Sequence, residues 1–407
     1  MSTLKVDNIR HNSATSDAIT MASDGTCTAR ITGMTGGGQL SHRNVFINGA
    51  MQVNQRVQTG SLGYFNPVTS SIYTLDRWKV SLGGGFDTDS AKIYHSTTAP
   101  TSEGFTKSLK VDIGNTETPS SGQRANIGQR IEGQNLQHLC YGTSSAKTMT
   151  LTFWVYSNKT GTYSVQIVQE NKKYVLYDYT ISSSNTWEKK TITIVGNTAD
   201  TIDNDNGVGF YVDWFLCGHS DVSASPTSSW TSGSSYRAST NQVNLWDNAN
   251  NYWYLTGCQL EVGDTATSFE HLSLAEDKRR CYRYCQRGRH VSSCLVGTPG
   301  TYYFSRGNIN LFTPMRATVT GTLKAATWNS NRYFQYMTWS SGTNVTAAPA
   351  STTFSSGSIT GVPDILSVVL HISISSGSSN SPLPANGPGS NNVYPIEYFD
   401  VLLEAEL

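Results

Sequence analysis

Apolar and polar residues alternate with a period of two along much of the chain. Met149, Leu151, Phe153 and Val155 interleave with Thr150, Thr152, Trp154 and Tyr156, and Phe210, Val212, Trp214 and Leu216 repeat the pattern. Successive side chains of an extended strand point to opposite faces, so this period predicts strands that turn one face to a core. Tyr163/Val165/Ile167 and Ile192/Ile194 predict two more. Gly, Asn and Ser separate these runs as turns require, so residues 41–272 are expected to form a β-sandwich or jelly roll. Trp78, Trp154 and Trp214 are assigned to its core.

The pattern changes at Ser273-Leu274-Ala275-Glu276, a capping box in which the serine oxygen and the glutamate each satisfy an exposed backbone N–H. It predicts a short basic helix to about Gln286, and residues 273–287 are read as a connector. Strand-like runs return at Leu311–Leu323, Arg332–Trp339, Ile365–Ile374 and Ile396–Leu407, which predicts a distal β-sandwich domain over residues 288–407. Residues 1–40 hold only brief runs, Leu4–Val6 and Ala18–Met21, and end in Gly36-Gly37-Gly38. That segment has too little apolar area to offset its own ordering entropy. It is expected to order by pairing with other chains and to hinge at the glycines.

Composition narrows the class. The 407 residues suffice for two or three domains, and 36 Gly and 21 Tyr suit sheets and turns better than helices, so the class is all-β. Lys+Arg and Asp+Glu balance at 29 each, which leaves no net field to draw the chain to nucleic acid or an anionic membrane. No apolar run approaches the roughly 18 residues of a membrane-spanning helix, and the first residues do not read as a secretory signal. Seven cysteines, Cys27, Cys140, Cys217, Cys258, Cys281, Cys285 and Cys294, are odd in number and thinly spread. Free thiols made in a reducing cytoplasm are expected.

Several segments form a familiar set: STLKVDNIRHN, SHRNVFINGAMQVNQR, TLDRWKV, DNDNG and LTGCQLEVGDTATSFEHLSLAEDKRRCYRYCQ. In order and spacing they resemble tail-fibre-like virion proteins of marine phages, cyanophages in particular. They are distributed across residues 1–287, and LFTPMRATVTG, from Leu311 to Gly321, is similar to the strand that follows this block in the family. The resemblance implies a virion tail subunit made in the host cytoplasm and commonly a homotrimer. It implies attachment to a tail adaptor, nozzle or baseplate protein through residues 1–40, a carbohydrate-binding-module-like sandwich, and a distal domain that meets the host surface polysaccharide. It brings no catalytic residues. Another virion structural protein, in the tail or decorating the capsid, and a glycan-degrading tail spike remain as alternatives.

Candidate chemistry is sparse. Asp200, Asp203 and Asp205 before Gly207 form an oxygen-rich loop of the kind that holds Ca²⁺, but without the distal glutamate of an EF-hand, and Asn-Gly reads equally as a β-turn. Cys281 and Cys285 lie on one side of the expected helix, with His290 and Cys294 following; a zinc site and half-buried free thiols are the two readings. Glycoside hydrolysis needs two positioned carboxylates, and Glu132, Glu170, Asp178 and Asp213 are scattered over different strands and loops. Asp364, Glu397, Asp400, Glu404 and Glu406 are the acids of the distal domain, and Glu404 and Glu406 are assigned to a solvated edge or a site. Arg279, Arg280, Arg283, Arg287 and Arg289 form a basic cluster, read as a solvated face or a contact with a neighbouring subunit. Exposed aromatics stack on the C–H faces of sugars, which makes Tyr302, Tyr303, Tyr333, Tyr336 and Trp339 the glycan-binding candidates. No catalytic residue and no cofactor beyond the possible structural Ca²⁺ is expected.

Overall fold

The computed structural model describes residues 6–13, 15–25, 27–29, 42–56, 64–65, 71–87, 90–233, 237–292, 303–310, 312–316, 320–324, 352–354, 359–360, 367–376, 396–404 and 406. Residues 28–29, 64, 288–292, 303–310, 320–324 and the strands from 352 to 404 are described by their backbone alone.

The fold is all-β, and its centre is a sandwich of two antiparallel sheets. The first has six strands in the spatial order Glu188–Ile194, Met149–Ser157, Tyr252–Val262, Ser108–Ile113, Ala91–Ser96 and Tyr64–Phe65. The second has seven, in the order Thr231–Ser232, Lys173–Ile181, Gly161–Gln169, Val208–Gly218, Arg124–Glu132, Lys79–Gly83 and Ile72–Tyr73. The alternation expected from the sequence is what builds the core. Leu151, Phe153 and Val155 of one sheet meet Val212, Trp214 and Leu216 of the other, all within 1% of full burial. Phe46, Trp78, Phe153 and Trp214 pack ring against ring at its middle, with centroids 5.5–5.9 Å apart. Each such side chain contributes about 1.5–3 kcal/mol through burial.

Trp154 departs from its assignment. It is half-buried on the outer face, because its neighbour Phe153 takes the inward position and consecutive strand residues cannot share a face.

The helix also differs from expectation. It runs Leu274–Cys281 with Ser273 accepting the Glu276 N–H, but it stops five residues short of Gln286. A tight turn follows, with Tyr284 N–H donating to the Cys281 carbonyl, and Cys285–Ser292 then extends to pair with Ile396–Glu404. A long-range ladder thus outcompetes continuation of a helix whose polar sequence offers little apolar area to bury. Elsewhere, Thr320–Lys324 adds to Ile396–Glu404, and Tyr303–Asn310, Thr352–Phe354 and Ile359–Thr360 pair with Ser367–Ser376. The expected run Arg332–Trp339 lies outside the described residues. Near the start of the chain, Asn8–Ile9, Ile19–Met21 and Cys27–Ala29 form a three-stranded antiparallel sheet that leaves Val6, Ile9 and Met21 exposed.

Three of the segments that carry the family resemblance, SHRNVFINGAMQVNQR, TLDRWKV and the run from Leu255 to Gln286, converge on one buried polar junction. The Asn48 side chain accepts from Val53 N–H and donates to the carbonyls of Val53 and Asp76, while Asp277 of the helix accepts the Asn48 N–H at 2.9 Å. Asp76 accepts from the Gln55 backbone and side chain, each at 2.6 Å. Burial pushes the Asp76 carboxyl up, and Arg56 and Gln55 oppose the shift. Arg77 lies over the Tyr284 ring, 3.5 Å from its centroid. Glu406, near the other end of the chain, pairs with both Arg56 and Arg77, with only 6% of its side chain exposed. Its assignment to a solvated edge is therefore overturned: the two buried arginines require a carboxylate, and the polypeptide returns to supply one.

Arg283 reaches a second buried carboxylate, donating from Nε and Nη2 to the two oxygens of Glu132 at 2.9 and 3.0 Å. Burial alone would raise the Glu132 pKa, but hydrogen bonds from Arg283, Tyr284 and Gln134 and the Arg283 charge outweigh it and hold the carboxyl below its ordinary 4.5. A folded-state value below the unfolded one contributes stability that is present above the unfolded pKa and is lost as pH falls through the folded pKa. Glu132→Gln should therefore destabilise the protein at neutral pH and flatten the decline of stability just below the ordinary value. Urea unfolding at several pH values checks this.

Candidate functional site

The outer face of the six-stranded sheet carries a cluster of aromatic residues. With Phe153, Val155, Trp253 and Leu255 turned inward, alternation turns Trp154, Tyr156, Tyr252 and Tyr254 outward. Strand register then sets their neighbours. Tyr156 lies opposite Tyr254, Tyr254 opposite Lys110, and Lys110 opposite Tyr94. In the adjacent row Tyr252 faces Asp112, which faces Lys92. Trp187, just before the edge strand, closes the row with its ring centroid 5.3 Å from that of Tyr156. Tyr254 stands edge-on to both Tyr156 and Tyr252, at 5.3 and 5.8 Å, and so holds those two rings nearly parallel, 16° apart.

The platform is fixed from beneath and from its rim. The loop bearing Trp187 is tied by Asn185 N–H to the Ser157 carbonyl and by the Ser184 hydroxyl to the Asn158 carbonyl. The Tyr252 hydroxyl donates to Asn185 Oδ1 at 2.6 Å. Burial raises the pKa values of Tyr252 and Tyr254, with Tyr156 nearby as a further cause in both, so both hydroxyls remain protonated hydrogen-bond donors through the physiological range. Apolar faces bordered by oriented hydroxyl, ammonium and carboxylate groups suit a ligand with C–H faces and hydroxyl edges.

A bulge aligns the second part of the face. Register shifts between Thr152 and Trp154, so that Gly257 is an extra residue on the partner strand with φ of 61°. The shift lets Trp253 and Leu255 before it and Cys258 and Leu260 after it all point inward. A Cβ at Gly257 would lie 2.7 Å from Phe105 Cζ and 2.9 Å from Trp154 Cδ1. Gly257→Ala is thus expected to cost about 1–2 kcal/mol for the left-handed backbone alone, and more from displaced rings. Thermal unfolding would show the loss, and tryptophan emission would report the movement of Trp154.

The residues singled out from sequence are not gathered into this face. Tyr302, Tyr333, Tyr336 and Trp339 lie outside the described residues, as does the side chain of Tyr303, which opens the strand Tyr303–Asn310. Asp200 pairs with Lys173 at 3.1 Å, Asp203 pairs with Lys172 at 3.2 Å, and Asp205 Oδ1 accepts the Gly207 N–H at 2.9 Å in its own turn. Among the described residues, no group of three or more His, Cys, Asp or Glu side chains is placed to hold a metal ion. Cys281 and Cys285 are both buried, and burial pushes the Cys281 thiol well up; Cys294 and the side chain of His290 lie outside the described residues.

Three of the four sandwich carboxylates considered for hydrolysis, Glu132, Asp178 and Asp213, have structural partners. Asp213 accepts from Asn126 at 2.7 Å and Arg130 at 2.9 Å, Glu132 is held by Arg283, and Asp178 accepts from Asn241 at 2.7 Å. Of the basic cluster, Arg279 and Arg280 pair with Glu276 on the helix, so Arg283 alone of these three is spent on the sandwich. Asp364 and the side chains of Arg289, Glu397, Asp400 and Glu404 lie outside the described residues.

Comparison with known proteins gives solved structures only: no family model and no curated protein matches the chain. It is similar to the enzymatically active domain of bacteriophage CBA120 tailspike protein 4, at 13% identity and TM-score 0.28, covering 54% of this chain and 21% of that one. The chain therefore spans about a fifth of the length of that tailspike domain. A putative sugar binding protein from Bacteroides thetaiotaomicron VPI-5482 matches at 12% identity and TM-score 0.31, over 54% of this chain and 100% of that one. A family 11 carbohydrate-binding module from Clostridium thermocellum, in complex with a β-1,3-1,4-mixed-linked tetrasaccharide, matches at 10% identity and TM-score 0.24, over 49% of this chain and 96% of that one.

Proposed function

We propose that the chain is a bacteriophage tail fibre or adhesin subunit that binds glycan on the host surface without cleaving it. The observation that carries the binding reading is the outward platform of Trp187, Tyr156, Tyr252 and Tyr94 around Tyr254 and Lys110. Sugar rings stack on such faces, and each contact is weak, so adhesion depends on several copies presented together. The virion role rests on the sequence resemblance over residues 1–287. A binding role without hydrolysis accords with Glu132 and Asp213 being engaged by arginines, since a catalytic pair needs both carboxyls accessible to the substrate.

Assembly follows from the beginning of the chain. The small sheet at Asn8–Ala29 leaves Val6, Ile9 and Met21 exposed, at 37–49%, and a homotrimer in which three copies cover one another's apolar positions removes that exposure. Attachment to the tail through residues 1–40 belongs to the same proposal. Light scattering of the full chain should give a trimer, and deleting residues 1–40 should leave the sandwich folded while abolishing incorporation into particles. A monomeric full chain, or normal occupancy of truncated subunits, contradicts it.

The function is tested by incubating the full-length protein with host cells and isolated surface polysaccharide, measuring adsorption and reducing ends together. Adsorption without new reducing ends is the expected result. Sugar release would favour the tail-spike alternative. Dissociation of the oligomer on Trp187→Ala would instead assign the aromatic face to a subunit interface.

A further inference from the structure

We infer that the glycan taken by this face is an acidic one, bearing carboxylate or sulfate groups, and that Lys110 receives its charge. This rests on the glycan reading above and narrows it.

The ammonium of Lys110 is a built feature of the platform. Its Nζ lies 5.3, 5.6 and 5.8 Å from the ring centroids of Tyr94, Tyr252 and Tyr254, and 2.9 Å from Asp112 Oδ1. A lysine head fixed by three rings and one carboxylate has already lost its rotamer freedom, so a ligand anion does not have to order it. Its side chain remains 21% exposed, and Asp112 engages one of three N–H donors. Lys110 also occupies the row between Tyr254 and Tyr94, where a chain stacked on Tyr156 and Trp187 and continuing across the strands must pass. With strands about 4.8 Å apart, the five positions from Trp187 to Tyr94 span roughly 19 Å, long enough for several sugar units.

The balance of charge on the face points the same way. Its outward strand positions carry Lys92, opposite Asp112, then Lys110, and then the exposed Lys189, opposite Trp154. Asp112 and Glu261 are the acids among them, but Glu261, opposite Thr150, is buried and held by the Thr267 N–H and hydroxyl, so the one carboxylate that borders the rings stands against three ammonium groups, although the whole chain is neutral. An excess of one sign confined to an aromatic face selects for ligands of the opposite sign.

The experiment is affinity electrophoresis of the full-length protein in gels containing polygalacturonate, dextran sulfate or neutral dextran, at low and moderate salt. Wild type is compared with Lys110→Gln, Lys189→Gln, Trp187→Ala and the remote control Lys147→Gln, each checked by circular dichroism. Wild type should be retarded at least tenfold more by an acidic polymer than by dextran, with salt weakening the effect. The uronate and sulfate arms identify which anion is preferred. Lys110→Gln should lose that preference and keep any residual retardation by dextran, Trp187→Ala should lose both, and Lys147→Gln should change neither. Equal retardation by neutral and acidic polymers, or no effect of Lys110→Gln, overturns the acidic assignment and leaves glycan binding standing. Equal losses in Lys110→Gln and Lys147→Gln overturn it as general ion exchange. No retardation by any polymer, together with no effect of Trp187→Ala on adsorption to host cells, removes the glycan reading itself.

Discussion

Glu406→Ala should lower the unfolding free energy by about 3–5 kcal/mol, the range for removing one partner of a buried ion pair. Arg56 and Arg77 have 4% and 1% of their side chains exposed, so loss of the carboxylate leaves two guanidinium groups charged, close together and away from water. Arginine does not relieve this by deprotonating. The damage should reach beyond the pair, since Arg316 donates to the Glu406 carbonyl at 2.9 Å and its N–H donates to the Arg283 carbonyl. Chemical unfolding followed by tryptophan fluorescence provides the measurement, because Trp78 adjoins Arg77 and sits in the core. A change of less than about 1 kcal/mol, the size expected of an exposed pair, would show that the contact is solvated in solution.

Trp187→Ala combined with Tyr156→Ala should weaken glycan retention by roughly thirtyfold or more while leaving the fold intact. The two rings touch at 5.3 Å and are half-buried, so their removal takes away the largest flat apolar surface of the face and vacates nothing in the core. A central aromatic anchor is worth about 2 kcal/mol or more, which is that factor in affinity. Trp214→Ala provides the contrast: it empties the fully buried centre of the sandwich and should cost about 3–5 kcal/mol of stability. Retention unchanged in the double variant, with an unaltered unfolding curve, would mean that the aromatic face binds no glycan.

The positions of these aromatics show how far local pattern reaches. Phe153 and Trp154 are adjacent and both apolar, so composition places both in a core, yet a strand can turn only one of them inward. The run Leu151, Phe153, Val155 sets the phase, and it sends Trp154 and Tyr156 outward together. Aromatics at outward positions of two strands, Trp154/Tyr156 and Tyr252/Tyr254, were the available signal for the face. What alternation cannot supply is that these strands are neighbours, since residues 156 and 254 meet only through the antiparallel register. The distal tyrosines were singled out instead because nothing local distinguishes a strand aromatic that lines a core from one that faces solvent.

The sequence by itself determined the all-β class, the strands at Met149–Ser157, Gly161–Gln169, Glu188–Ile194 and Val208–Gly218, and the helix start at Ser273, because each depends on side chains a few residues apart. Alternation, turn chemistry and a capping box are local interactions, and they act before the chain has found its partners. Tertiary structure alone decided the roles of the buried charged groups. Glu406 looked like the solvated end of a terminal strand, but it meets arginines 350 and 329 positions away. Three nearby aspartates read as a cation loop or as a turn, and in the fold Asp200 and Asp203 meet separate lysines while Asp205 closes its own turn. A charge is placed by whichever opposite charge or dipole comes within a few ångströms of it in the folded state, and separation along the chain carries almost no information about that distance.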